Sequence, residues 1–260
     1  MVLLSPEERQ ALLENSLDSL RHALDHFFEL AAVDRGRGTA HLELRHHTKQ
    51  AILSAHHAGD CLLQVILWDI DPASPCFSKK GRFHHPPLTN TLAALRRPAN
   101  QERLRKSEGL FMRFMEGLNE ERGALMHRTL SDAIEPSIAA CAVLAIRRVL
   151  RTRYRVDPSR FGWDTDDIGQ EVMSEIRWNH YDRYFRYVEQ AVAEESPRQT
   201  VDECPYCGSA AVLSTGTSCE ACYLEVERVE CPSCGCEFIA EPVSAGSKRD
   251  TCPNCGGVCP

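Results

Sequence analysis

Four Cys-X-X-Cys pairs crowd the C-terminal quarter of this chain, and they limit its folding more than any other feature. Cys204-Pro205-Tyr206-Cys207 and Cys219-Glu220-Ala221-Cys222 come first. Cys231-Pro232-Ser233-Cys234 and Cys252-Pro253-Asn254-Cys255 follow. Two thiolates three positions apart reach one ion from a single tight turn. Two such turns complete the tetrahedral set of Zn²⁺, with Zn–S near ~2.3 Å. The glycine after each Cys-Pro-X-Cys (Gly208, Gly235, Gly256) permits the turn and lets backbone N–H groups aim at sulfur. A redox domain would not need four such pairs. The expectation is therefore two consecutive zinc ribbons holding two structural Zn²⁺. Their ligands are Cys204, Cys207, Cys219 and Cys222, then Cys231, Cys234, Cys252 and Cys255. Nested pairing stays open, and Cys236 and Cys259 are spare thiols that could substitute. Leu224, Val226 and Val229 can supply short strands between the knuckles.

With four protein thiolates per ion, no coordination position is left for an activated water, so both zincs read as structural. From residue 201 on, nine Asp or Glu face three Lys or Arg. Each four-thiolate site adds two further negative charges, and such a surface repels nucleic-acid phosphates. The ribbons read as a stabilising tail, or one that docks a partner protein.

Ten of the 13 cysteines lie in that tail, which gives the chain two parts. The expected domains are a helical domain over 1–198 and tandem zinc ribbons over 199–260. No apolar run approaches the roughly 20 residues that span a bilayer, so no membrane partner is expected. The start, Met1-Val2-Leu3-Leu4-Ser5-Pro6, has neither a basic stretch nor a long apolar one. A cytoplasmic location is expected, where thiols stay reduced and serve metal rather than disulfides. A mean hydropathy of −0.34 and a formal net charge of −7 suit a soluble protein and exclude a polycation.

Before residue 200 no strand alternation is visible, so this part reads as an all-α bundle. Ser5-Pro6-Glu7-Glu8 is a helix start with a capping box. Leu13, Leu17, Leu20, Leu24, Phe27, Phe28 and Ala31 then recur at helical spacing. A second helix, about 39–68, is apolar almost all round in its second half and reads as the buried centre. Asp60 lies inside it and needs a partner, for which a neighbouring Arg or His is expected. Residues 69–87 form a long Pro-rich loop. A short helix follows over 88–96. Asn100 can cap the next helix, which leads to Arg122. Further helices are predicted at about 132–154 and 166–195.

Basic residues gather in two runs. Lys79 to Arg128 holds eleven Lys or Arg against five Glu, and Arg147 to Arg160 holds six Arg against one Asp. They could form a face that attracts phosphates, or simply solvate helices. His46 and His57 share a helix face, but no carboxylate pattern accompanies them, so they read as ordinary helix histidines. No Walker loop, nucleophile elbow or dinucleotide fingerprint occurs.

Near the end of the first basic run lies Glu121-Arg122-Gly123-Ala124-Leu125-Met126-His127. An imidazole can move a proton near neutrality. A guanidinium stays charged and stabilises a charged phosphate. Five helical positions amount to about 140° of rotation. Either the helix loosens near Gly123, or two copies of the chain share one cleft.

In helix order and motif this part resembles the HEPN superfamily over roughly residues 10–195. The resemblance rests on a long first helix, the central His56-His57-Ala58-Gly59-Asp60-Cys61-Leu62-Leu63-Gln64, the Pro-rich loop with its short helix, and Arg122 through His127 ahead of a closing apolar helix. It implies an antiparallel helical bundle that pairs as a homodimer. It also implies RNA binding and, in active members, metal-independent endoribonuclease chemistry. Carried over, His127 is the acid or base, Arg122 stabilises the phosphorane, and Asp60 orients one of the two. Gly123 stands where active members commonly have a polar residue, and Gln64 where Lys is frequent. Many members lack catalysis, so the alternative is a non-catalytic scaffold whose zinc ribbons dock a partner protein.

Overall fold

The structure is a computed structural model that describes residues 5–34, 41–79, 82–127, 136–156, 182–222, 225–240 and 251–258. It is mostly helical, with short strands around two cysteine clusters near the C-terminus. It divides into two compact units, Met1–Asp164 and Thr165–Pro260. The division falls ahead of the last helix, whereas the composition shift falls after it. Among the described residues no helix is long and apolar enough to cross a membrane.

In the first unit, α1 (Pro6–Asp34) and α2 (His41–Ile70) lie along each other as a long helical hairpin. The capping box forms as the sequence predicts. Ser5 Oγ accepts from Glu8 N at 3.2 Å, and Ser5 N donates to Glu8 Oε2 at 2.7 Å. A cap of this kind contributes about 1 kcal/mol. From α1, Leu12, Leu17, Leu20 and Leu24 are buried against α2. Ala51, Ile52, Leu62, Leu63, Val65, Ile66 and Leu67 of α2 are all buried, which makes it the central helix.

The Pro-rich segment is less open than its composition suggests. A 3₁₀ turn at Pro75–Phe77 buries Phe77, and two-residue strands β1 (Ser78–Lys79) and β2 (Arg82–Phe83) pair antiparallel after it. This small hairpin corrects the strand-free reading of the first 200 residues. Two paired residues are too short for any alternation to register. Next come α3 (Leu88–Leu95) and the single-turn α4 (Pro98–Gln101). Asn100 caps nothing downstream, contrary to expectation. It sits inside α4, and its Nδ2 donates to Ala94 O at 2.9 Å and Asp71 Oδ2 at 3.4 Å. The cap of α5 (Lys106–His127) is carried by Glu108, whose Oε2 accepts from Arg105 N at 3.0 Å.

Helix α6 (Pro136–Tyr154) is buried continuously from Ala142 to Leu150, including Arg147 and Arg148. Its Arg153 pairs with Glu108 and approaches Asp69, while Tyr154 donates to Asp69 Oδ2 at 3.1 Å. Asp69 also takes a bidentate pair from Arg9, at 2.6 and 3.2 Å. This network ties α1, α2, α5 and α6 together. Over its described part the second basic run is split, with Arg155 exposed and Arg151 half-buried. Packing and ion pairing hold Arg147, Arg148 and Arg153 inside.

In the second unit, α7 (Asp182–Glu195) buries Tyr187, Val188, Ala191 and Val192. Of the helix predicted over 166–195, the part before Asp182 lies outside the described residues. Strands β3 (Val201–Glu203) and β4 (Ala210–Leu213) pair antiparallel, as do β5 (Arg228–Glu230) and β6 (Glu237–Ile239). Helix α7 packs on β4, where Glu189 Oε1 accepts from Ser209 Oγ at 3.1 Å and Ala210 N at 3.0 Å. Arg228 links the ribbons by donating to Asp202 Oδ2 and Leu213 O, each at 3.0 Å. Val229 lies in β5 as expected, Val226 lies just outside it, and Leu224 lies outside the described residues.

Candidate functional site

The cysteine clusters form in sequence order, not nested. Cys204, Cys207, Cys219 and Cys222 gather in one place and Cys231, Cys234, Cys252 and Cys255 in another, with sulfurs within 4.8 Å of one another in each. Their spacing fits the metal. A regular tetrahedron with Zn–S of about 2.3 Å has S···S edges of about 3.8 Å. The observed separations are 3.7 Å (Cys204–Cys222), 3.8 Å (Cys207–Cys219), 3.6 Å (Cys231–Cys255) and 3.7 Å (Cys234–Cys252). The eight thiolates are consistent with two Zn²⁺, held structurally.

Knuckle geometry follows from glycine. Gly208, Gly235 and Gly256 take φ of 71°, 68° and 71°, the left-handed region that glycine enters without a steric penalty. That turn lets Gly208 N, Gly235 N and Gly256 N donate to the carbonyls of Cys204, Cys231 and Cys252 at 2.8, 2.8 and 2.9 Å. Backbone N–H groups of Ala221 and Gly257 point at Cys219 Sγ and Cys255 Sγ, 3.3 and 3.4 Å away. The two sites differ in exposure. All four ligands of the first are buried, whereas Cys234 and Cys255 of the second are exposed. Of the spare thiols, Cys236 sits beside the second site, 3.1 Å from Cys252 Sγ and 3.3 Å from Cys234 Sγ. Cys259 lies outside the described residues.

Of the helical candidates, Asp60 lies on α2 and Arg122 on α5, two helices that pack together. Met115 of α5 packs over Gly59 of α2, with its Cε and Sδ where a Cβ would stand. On α5, Arg122 is exposed, and among the described residues it forms no ion pair. Its charge reaches both Asp60 and His56 of α2. The direct hydrogen-bond partner of Asp60 is not the Arg or His that the sequence suggests. Gln64 Nε2, one turn on, donates to Asp60 Oδ1 at 3.3 Å, and Gln64 Oε1 meets His85 Nδ1 at 3.2 Å. Burial raises the Asp60 carboxyl above its ordinary value, and Gln64, His57, Arg122 and His85 act against that rise.

Helix α5 runs unbroken from Lys106 to His127 through Gly123, so the helix does not loosen there. His127 is its final residue, and the side chain of His127 lies outside the described part. Sequence reasoning missed two members of this cluster. Buried His56 pairs its Nε2 with Asn119 Oδ1 at 3.0 Å, and an amide oxygen only accepts, so Nε2 carries the proton. His56 and Asn119 each sit three or four positions from the flagged Asp60 and Arg122. One helical turn along each helix was the signal that could have found them. Next to Asn119, a groove between α3 and α5 carries the carboxylates Glu116 and Glu120.

Burial pushes His56 down from 6.5 to about 4. The unfolded chain takes up this proton below pH 6.5, while the folded chain resists it until about pH 4. The stability is therefore present above pH 6.5 and is lost as pH falls through that window, by roughly 2–3 kcal/mol between pH 7 and pH 4.5. Helix unfolding by urea at the two pH values checks this. His56→Gln should shrink the difference. The zinc thiolates protonate alike in both proteins, so the contrast reports His56. Equal acid sensitivity in the two would contradict the assignment.

No protein-family model, curated protein or solved structure matches this chain.

Proposed function

We propose that the helical unit is a HEPN-type domain that binds RNA as a homodimer and cleaves it without a metal ion in the reaction. The observation that carries this reading is the position of Arg122. It is an exposed cation on α5 within electrostatic reach of Asp60 and His56, and no carboxylate among the described residues neutralises it by an ion pair. A guanidinium in that state is available to a phosphate.

In the proposed reaction the ribose 2′-OH loses its proton and attacks the adjacent phosphorus. The P–O5′ bond breaks, and a proton passes to the leaving 5′-oxygen. His127 serves as base or acid, and Arg122 stabilises the negative charge that builds on the phosphorane. The products are a 2′,3′-cyclic phosphate and a 5′-hydroxyl. Asp60 holds the local charge that orients Arg122. The zinc ions take no part, since four thiolates fill each coordination shell.

The test is incubation of zinc-loaded protein with mixed RNAs in buffer freed of Mg²⁺. Cleavage leaving 2′,3′-cyclic ends is expected. RNA binding without any cleavage would favour the non-catalytic scaffold. Absence of both binding and cleavage would overturn the proposal.

A further inference from the structure

Four histidines from two helices meet at the end of the α1–α2 hairpin, away from the Arg122 cluster. His22 and His26 stand one turn apart on α1, and His46 and His47 are adjacent on α2. Their ring centroids lie 4.6 Å (His22–His26), 6.1 Å (His26–His46), 5.2 Å (His26–His47) and 5.5 Å (His46–His47) apart. His46, read from the sequence as an ordinary helix histidine, belongs to this group, and His57 does not. His57 instead sits with Ser19, 2.8 Å from its Oγ.

The four ring separations are compatible with a metal site. Imidazole binds Zn²⁺ with Zn–N near ~2.05 Å, which puts ring centroids about 3.2 Å from the ion and, in a tetrahedron, about 5.2 Å from one another. The four observed distances bracket that value. Interplanar angles of 71°, 87° and 76° mark edge-to-face contacts and 48° a tilted one, so no pair is stacked. His26 Nδ1 and His47 Nδ1 are 3.0 Å apart, near the N···N edge of about 3.3 Å that such a tetrahedron requires. In this arrangement the four rings do not present their nitrogens to one centre, so an ion would have to draw them together.

We propose that His22, His26, His46 and His47 form a binding site for one divalent late transition ion, Zn²⁺ or Ni²⁺, that clamps α1 to α2. Ion binding turns the tautomers of His26 and His47 so that each proton moves to Nε2 and both Nδ1 lone pairs face the ion. His22 and His46 are exposed and give the ion a way in. Beside them, a groove lined by Asp18, Ser19, His22, Leu53, Ser54 and His57 adds a carboxylate near the entrance. Imidazole ligands suit Zn, Ni and Cu, in contrast to the thiolate sites of the second unit.

The experiment uses the full chain without a polyhistidine tag, carrying its two cysteine-bound zincs, and titrated with Ni²⁺. One further ion per chain is expected, and the thermal unfolding midpoint should rise with Ni²⁺ concentration. His26→Ala/His47→Ala should lose that ion and the rise while keeping both zincs. In case that pair disturbs the hairpin, the exposed pair His22→Asn/His46→Asn should weaken Ni²⁺ binding at least ~10-fold with helicity unchanged. A wild-type chain that takes up no further ion at micromolar Ni²⁺ would overturn the proposal. So would unchanged affinity in both variants.

Discussion

Serine at position 222 should strip the zinc from the first ribbon and unfold that ribbon. Cys222 is fully buried with Cys204 and Cys219, and its sulfur stands at the tetrahedral distance of 3.7 Å from Cys204. The apolar residues buried around this site are few, chiefly Ala211, Val212, Ala221 and Val226. A buried valine stabilises by roughly 1.5–3 kcal/mol. Structural zinc contributes about 10–16 kcal/mol of apparent binding free energy at neutral pH. The metal term therefore exceeds what this small core supplies, and the ribbon cannot hold without it. The two sites should also differ in rate. A chromogenic chelator should take one zinc per chain quickly from the second site, whose Cys234 and Cys255 are exposed, and the other slowly. Metal analysis of Cys222→Ser, together with amide NMR dispersion of the ribbon, checks the claim. Retained dispersion without zinc would contradict it.

The ribbons were legible in the sequence because thiolate chemistry works at short range. Cysteines three apart meet one ion almost regardless of the rest of the fold, and only the choice between consecutive and nested pairing needed coordinates. The capping box at Ser5 and Glu8 was legible for the same reason, being closed within one turn. Long-range partners were not. The partner of Asp60 proved to be Gln64, and Asn100 turned back to Ala94 and Asp71, because side-chain amides satisfy buried groups as well as charged ones do. The Arg run on α6 read as surface, since residue identity alone does not show that Arg153 faces Glu108 across two helices. The histidine cluster was invisible for a topological reason. His22 and His46 are 24 positions apart, and only the antiparallel packing of α1 on α2 brings them together.

Of the helical residues, Arg122 and His127 should show the largest effects on activity. Loss of a positioned acid or base lowers a rate by about 10²–10⁴. Loss of a group that stabilises transition-state charge lowers it by about 10²–10³. His127→Ala and Arg122→Ala chains should each fall in those ranges, with helicity preserved because Arg122 is exposed. The unbroken course of α5 sharpens the expectation. On a regular helix the two side chains leave in directions about 140° apart. If the proposed reaction holds, one straight helix would not aim both at one phosphate, and the cleft would take Arg122 from one chain and His127 from the other. A two-fold pair is the commonest closed assembly and supplies that geometry.

Mixing the two inactive variants tests this most directly. In a mixture at equilibrium, about half the dimers are mixed, and each mixed dimer holds one cleft with an intact Arg122 and an intact His127. Cleavage of RNA in Mg²⁺-free buffer should return to roughly a quarter of the wild-type rate. An active wild type whose variants stay silent on mixing would contradict the account, as would a monomer that cleaves.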